Sequence, residues 1–176
     1  KQGIHCGRHY GIDAGKRSNG MIVYHGSYLA IPNPDIIHSR ANVDFGQGFY
    51  TTPLYGQAKK WCDKFKRRGK SGVISCYSFE ESAYDLLKLL KFDSYSEAWL
   101  DFILSCRIGK DMTDYDIVIG GVANDRVFNT VELFTDGLIN KREAIKRLRY
   151  TKPNLQICFR TEKALEYLHF ERSETT

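Results

Sequence analysis

The chain reads as a single α+β domain, and three observations predict it. Strand-like and helix-like stretches are interspersed without the regular strand–helix–strand rhythm of a doubly wound parallel sheet. With 176 residues, 42% of them hydrophobic and 27% charged, the chain is long enough to enclose a core and too apolar for disorder. No internal repeat or low-complexity tract divides it.

Residues 1–20 are glycine-rich and basic with no hydrophobic period, and are expected to form a flexible lead-in. The domain proper is expected over 21–172, with 173–176 as a tail. His5, Cys6 and His9 begin a possible metal set, but no second ligand pair follows at a suitable spacing, so no metal is expected. The run GIDAGKR lacks the glycine spacing of a phosphate loop and the Ser or Thr after its lysine. Met21 to Tyr24 is a short apolar strand that delivers His25, Gly26 and Ser27 at its end. A histidine there can exchange a hydrogen bond with a ligand hydroxyl, although a satisfied structural histidine is the commoner case. Tyr28 to Val43 contains two prolines and reads as a long loop over a cleft, with Arg40 able to reach a phosphate.

The most informative stretch runs from Asp44 to Cys62, DFGQGFYTTPLYGQAKKWC. Gly46 and Gly48 allow a ligand close to the backbone. Phe49 to Thr52 has the aromatic and β-branched character of a strand, which Pro53 ends. Ala58, Trp61, Cys62 and Phe65 then recur at helical spacing. Tyr50 and Trp61 are eleven residues apart and can face each other across a slot; taken alone, both rings read more simply as core. Seven Lys or Arg lie between Lys59 and Lys70 against one acid, Asp63. Such a patch attracts a nucleotide, a nucleic acid or an acidic protein surface, where it is more than a solvated helix face.

Downstream, Gly72 to Phe79 and Leu86 to Phe92 read as strands. Ser94 and Glu97 are spaced as a capping box for a helix with Ala98, Trp99, Phe102, Ile103 and Cys106 inward. Tyr115 to Gly120 reads as a buried strand leading to the polar turn Asn124-Asp125-Arg126. Thr130 to Asp136 is expected to be a short helix stopped by Gly137. Asn140 and Glu143 cap a basic helix running through Arg149. Leu155 to Arg160 is a strand with Gln156 at its start, followed by a helix from Glu162 to Tyr167 and a last strand over Leu168 to Glu171. Five scattered cysteines without a CxxC pair argue for reduced thiols and a cytoplasmic location. No run is apolar enough for a membrane span, and the first residues lack the pattern of a signal peptide.

Three separated segments, in order, resemble the motifs of the ADP-ribosyltransferase superfamily in its diphtheria-toxin and poly(ADP-ribose) polymerase branch. They are YHGS at Tyr24 to Ser27, FGQGFYTT with the helix after it, and LQICFRTEKALEYLHF from Leu155. More closely, Met21 to Phe170 resembles a bacterial family of uncharacterised domains assigned to that superfamily. The resemblance implies a split two-sheet fold around an NAD cleft, with His25, Tyr50 and Gln156 as the catalytic set. It implies that His25 and Ser27 hold ribose hydroxyls and that the Gly26 backbone holds the nicotinamide amide. Tyr50 and Trp61 would clamp the nicotinamide ring, with Thr51 and Ala58 beside them, Arg40 would take a pyrophosphate oxygen, and Gln156 would fix the reacting ribose.

Two departures are informative. The polymerase branch carries glutamate where this chain has Gln156, whose carbonyl can accept a bond but supplies no charge to an oxocarbenium-like transition state. Glu132, Asp125 and Glu162 are the candidates for that carboxylate. Ala58 replaces a serine, which forfeits one neutral hydrogen bond of roughly 0.5–1.5 kcal/mol. The expected activity is NAD-dependent mono-ADP-ribosyl transfer to a macromolecular acceptor, protein or nucleic acid. A silent NAD or ADP-ribose binder and a basic nucleic-acid-binding domain are the alternatives.

Overall fold

The computed structural model describes residues 20–123, 125–148 and 154–176, with the side chains of Asp125 and Arg126 left aside. In chain order the elements are β1 (Met21–Ser27), β2 (Phe49–Thr51), α1 (Tyr55–Lys66), β3 (Val73–Phe79), α2 (Ala83–Leu86), β4 (Leu89–Lys91) and α3 (Glu97–Arg107). They continue with β5 (Ile117–Gly120), α4 (Asp125–Thr135), α5 (Lys141–Leu148), β6 (Gln156–Phe159), α6 (Glu162–Leu165) and β7 (Leu168–Thr175). This is a mixed α+β fold with two sheets, ordered β1-β3-β7 and β2-β6-β5-β4. Strands β4 and β5 run parallel, and the other strand pairs among the described residues are antiparallel.

Side-chain alternation along the strands decides how the layers stack. Val23, Tyr77 and Phe79 of the first sheet meet Phe49, Ile157 and Phe159 of the second in a core between the sheets. The opposite face of the second sheet, with Val118 and Cys158, packs on Trp99 and Ile103 of α3, Val131 of α4 and Leu148 of α5. Helix α1 covers the outer face of the first sheet through Ala58 and Cys62 against Ile74. Each fully buried large side chain contributes roughly 1.5–3 kcal/mol, so the two large clusters fix the sheets and leave α1 held by a small one.

Several element boundaries differ from the sequence expectation, each for a local reason. The stretch expected to be a strand from Leu86 ends a short helix there, and β4 starts only at Leu89, after the Lys88 N–H is taken by Asp116 Oδ2 at 2.9 Å. The cap of α3 is Ser96 rather than Ser94: its Oγ accepts from Trp99 N–H at 3.2 Å, because Tyr95 is buried and bonded to Val122 O. Helix α4 begins at Asp125, within the stretch expected to be a turn; Asn124 lies outside the described residues. Asn140 Oδ1 accepts from Glu143 N–H, as its spacing suggests, while Arg149 lies outside the described residues. Strand β7 continues to Thr175, so the expected tail pairs with β3, as Val73↔Thr175. The lead-in through Asn19, with His5, Cys6, His9 and GIDAGKR, also lies outside the described residues.

Candidate ligand-binding site

Three strands from distant parts of the chain meet at Thr52. Tyr24 N–H donates to Thr52 O at 2.8 Å, and Thr52 N–H returns a bond to Tyr24 O at 2.9 Å. Thr51 pairs with Ile157, so one further step in the same register sets Thr52 opposite Gln156. The middle of β1, the residue just past β2 and the start of β6 therefore share one junction, and His25, Gly26, Tyr50 and Gln156 lie along the strands beside it.

His25 Nδ1 lies 2.7 Å from Tyr50 O, and because a carbonyl only accepts, Nδ1–H is the donor. The imidazole also stacks on Phe49, with ring centroids 4.6 Å apart. Burial holds its pKa below the ordinary histidine value, against the opposing pull of the Tyr50 carbonyl. A neutral ring with its proton on Nδ1 leaves Nε2 as a bare acceptor, and no described residue bonds it. Gly26 is required by close packing: a Cβ there would lie 2.6 Å from Ala58 O and 3.2 Å from Cys62 Sγ. Because Tyr24 turns its N–H and C=O toward β2, strand alternation turns those of Gly26 to the same edge. Ser27, beyond it, is buried.

Tyr50 is fixed by its own hydroxyl, which donates to Gly46 O at 2.7 Å and accepts from Phe45 N–H at 2.9 Å. Burial drives its pKa far upward, and Cys158 beside it is pushed up to about 12, also chiefly by burial. Tyr50 thus offers a ring rather than a proton. The fold itself requires the glycines before it. Gly46 adopts φ +74°, and a Cβ on Gly48 would lie 2.5 Å from Cys158 Sγ and 2.6 Å from Phe159 O.

Trp61 does not join the core. It is 46% exposed, with Lys64 Nζ 4.2 Å from its ring centroid, while Ala58 and Cys62 alone carry the buried face of α1. Its placement comes from a residue the sequence reading passed over. Gln57 donates from Nε2 to Leu155 O at 2.9 Å and accepts from Leu155 N–H at 3.3 Å, docking α1 against the residue before Gln156. Trp61 follows Gln57 by four positions and so shares its helix face, one turn on. Neither Tyr50 nor Trp61 stacks on another described ring. Arg40 is exposed, and its charge, after desolvation, helps lower the pKa of Lys64, which puts the loop arginine on the cationic side of α1.

Gln156 is 7% exposed. Its Nε2 lies 3.3 Å from Asp44 Oδ2 and 3.4 Å from Gly121 O, both acceptors, so the amide hydrogens face them and Oε1 turns the other way. Asp44 is itself held by Arg107 (Nη2 at 2.7 Å and Nε at 3.2 Å from Oδ1) and by Ala123 N–H at 3.0 Å from Oδ2. Asp44 and Arg107 were not among the residues the sequence singled out. Asp44 does open the most informative stretch, whereas Arg107, at the end of α3, carries no local signal.

The remaining candidates separate from this cluster. Thr51 is buried on the opposite strand face and donates its hydroxyl to Ile157 O at 3.4 Å, so it belongs to the inter-sheet core. Glu132 is exposed on α4, and Glu162 is exposed and accepts from Ile36 N–H, so neither is the carboxylate beside Gln156. The side chain of Asp125 lies outside the described residues. Among the described residues, no group of three His, Cys, Asp or Glu is arranged to hold a metal, and no helix is long and apolar enough to cross a membrane.

A family model described as "Protein of unknown function (DUF3990)" matches residues 21–170. The chain belongs to that family. The match opens at the first residue of β1 and closes within β7, so the family's domain contains the Thr52 junction, Asp44, Arg107 and Gln156. No curated protein and no solved structure matches the chain.

Proposed function

We propose that this domain binds NAD at the Thr52 junction and cleaves its nicotinamide–ribose bond, transferring ADP-ribose to a macromolecular acceptor. The observation that carries the reading is the convergence of β1, β2 and β6, which brings His25, Gly26, Tyr50 and Gln156 to one place. His25 Nε2 and Gln156 Oε1 are both left as acceptors, and two acceptors complement hydroxyl donors such as those of a ribose. The Gly26 edge supplies an N–H and a C=O for a carboxamide. The ring of Tyr50 and the exposed indole of Trp61 form flat apolar walls for a pyridinium, and Arg40 with Lys64 faces the phosphates.

In this reading the two-sheet arrangement corresponds to the split fold of the ADP-ribosyltransferases. Loss of neutral nicotinamide leaves positive charge on the ribose. Gln156 orients that sugar through its 2′-hydroxyl, and the acceptor's nucleophile attacks the same carbon. Incubation with carbonyl-labelled NAD tests this: free nicotinamide should accumulate with the wild type and fall at least about 100-fold with Gln156→Ala.

A second reading, NAD or ADP-ribose binding without cleavage, is favoured by the neutral amide at 156 and by the pairing of the adjacent Asp44 charge with Arg107. Saturable NAD binding with no nicotinamide release would select it. Absence of NAD binding would remove both.

A further inference from the structure

We infer that Asp44 is the positioning residue of the site: clamped by Arg107, it fixes the polarity of Gln156, and it makes an amide rather than a carboxyl the group the fold can hold at that position. The inference rests on the NAD reading only for what meets the outward face of Gln156.

The argument is one of hydrogen-bond valence. Asp44 accepts four bonds, two from Arg107 on Oδ1 and one each from Ala123 N–H and Gln156 Nε2 on Oδ2. A carboxylate in that state has no donor to give, so whatever stands opposite it must donate. Gly121 O makes the same demand on the second amide hydrogen. Gln156 meets both and cannot flip without setting its own oxygen against two acceptors. Its outward atom is thereby Oε1, which selects a ligand donor and rejects a ligand acceptor. A carboxylate in its place would lie against Asp44, and two carboxylates at that separation cannot both ionise. Among the described residues, the other ionisable groups around Asp44 are Tyr50, Tyr95 and Cys158, all pushed upward chiefly by burial and so neutral at working pH, and Arg107, which is paired with it.

The first test needs no ligand. Thermal unfolding of Gln156→Glu is compared with wild type at pH 5 and pH 8. The introduced carboxyl keeps its proton when folded but loses it when unfolded, so the variant's deficit should grow as pH rises, by roughly 5 °C or more. The double variant Asp44→Asn with Gln156→Glu removes the clash, and its deficit should not grow. If Gln156→Glu does not fold at either pH, folding of the double variant supports the inference, and failure of both to fold overturns it. A deficit equal at the two pH values also overturns it.

The second test uses NAD. Asp44→Asn swaps one of the two acceptor oxygens for an NH2, which sets a donor against either Arg107 or the Ala123 N–H and Gln156 amide. This breaks the network that turns Gln156 Oε1 outward and should weaken NAD binding at least about tenfold. The double variant should return binding to within about threefold of wild type. Unchanged binding in Asp44→Asn overturns the positioning role. A wild type that fails to bind NAD defeats the functional reading instead, and the unfolding comparison then decides the role of Asp44 alone.

Discussion

On the β6 side of the site, Gln156 is 7% exposed and rests on a carboxylate that accepts three other bonds. On the α1 side, Trp61 is 46% exposed, and its described partner is a lysine over its ring. The first wall is built from groups that cannot move without orphaning a buried polar atom. The second stands on a helix docked by a small apolar cluster, by a reciprocal pair of hydrogen bonds between Gln57 and Leu155 and by the Tyr55 hydroxyl on Glu174, and its own ring is open to solvent. A rigid wall suits orientation of a reacting group, and a pliable one suits capture and release. Substitutions on the two walls should accordingly fail in different ways.

The largest expected effect lies under the rigid wall. Arg107→Ala strips its cation from Asp44, whose side chain is 15% exposed with the pair intact. Breaking such a pair should cost about 3 kcal/mol of unfolding free energy, the lower end for a buried pair because some solvent still reaches it. Urea unfolding measures this. Replacing both partners, as Asp44→Asn with Arg107→Met, should cost less than the single change. A single variant of wild-type stability would show that the network is ornamental and dissolve the contrast between the walls.

Trp61→Ala is the matching change on the pliable wall, and its signature is the reverse. Little core is disturbed, so stability should stay within about 0.5 kcal/mol of wild type. NAD affinity should fall about tenfold, as expected when a stacked ring is lost from a cationic heterocycle. Titration calorimetry together with urea unfolding separates the two quantities. Loss of stability without loss of affinity would return Trp61 to a structural role.

The same contrast explains what the sequence made legible. Motifs written in consecutive residues are readable: the strand of His25, although it runs on through Ser27 instead of stopping at Tyr24, the strand that opens at Gln156 and the α+β class. Parts assembled across the chain were not. Asp44 and Arg107 are 63 positions apart, and Asp44 and Gln156 are 112 apart, so no local pattern marks either contact. Trp61 has two readings in the sequence: its helical spacing with Ala58 and Phe65 suggests a core stripe, its distance from Tyr50 a pocket wall. The structure leaves it exposed, because Ala58 and Cys62 fill the buried face of α1 against Gly26 and Ile74. The space that a side chain at Gly48 would need is taken by Cys158, a contact 110 positions away that no local pattern marks.

The smallest expected effect falls at the hinge between the walls. Burial lowers the pKa of His25, so below pH 6.5 the unfolded chain binds a proton that the folded imidazole resists. Its contribution to stability is therefore complete above that pH and is lost as pH falls. Between pH 7.5 and 5.5 the wild type should lose up to about 1 kcal/mol more than His25→Gln, whose amide can still donate to Tyr50 O. Protonation also removes the lone pair on Nε2, so NAD affinity should weaken over the same range in the wild type and not in the variant. Equal slopes in stability would leave His25 without a part in the acid sensitivity. A slope in stability without one in affinity would keep the imidazole as a brace for Tyr50 and take the ribose hydroxyl away from it.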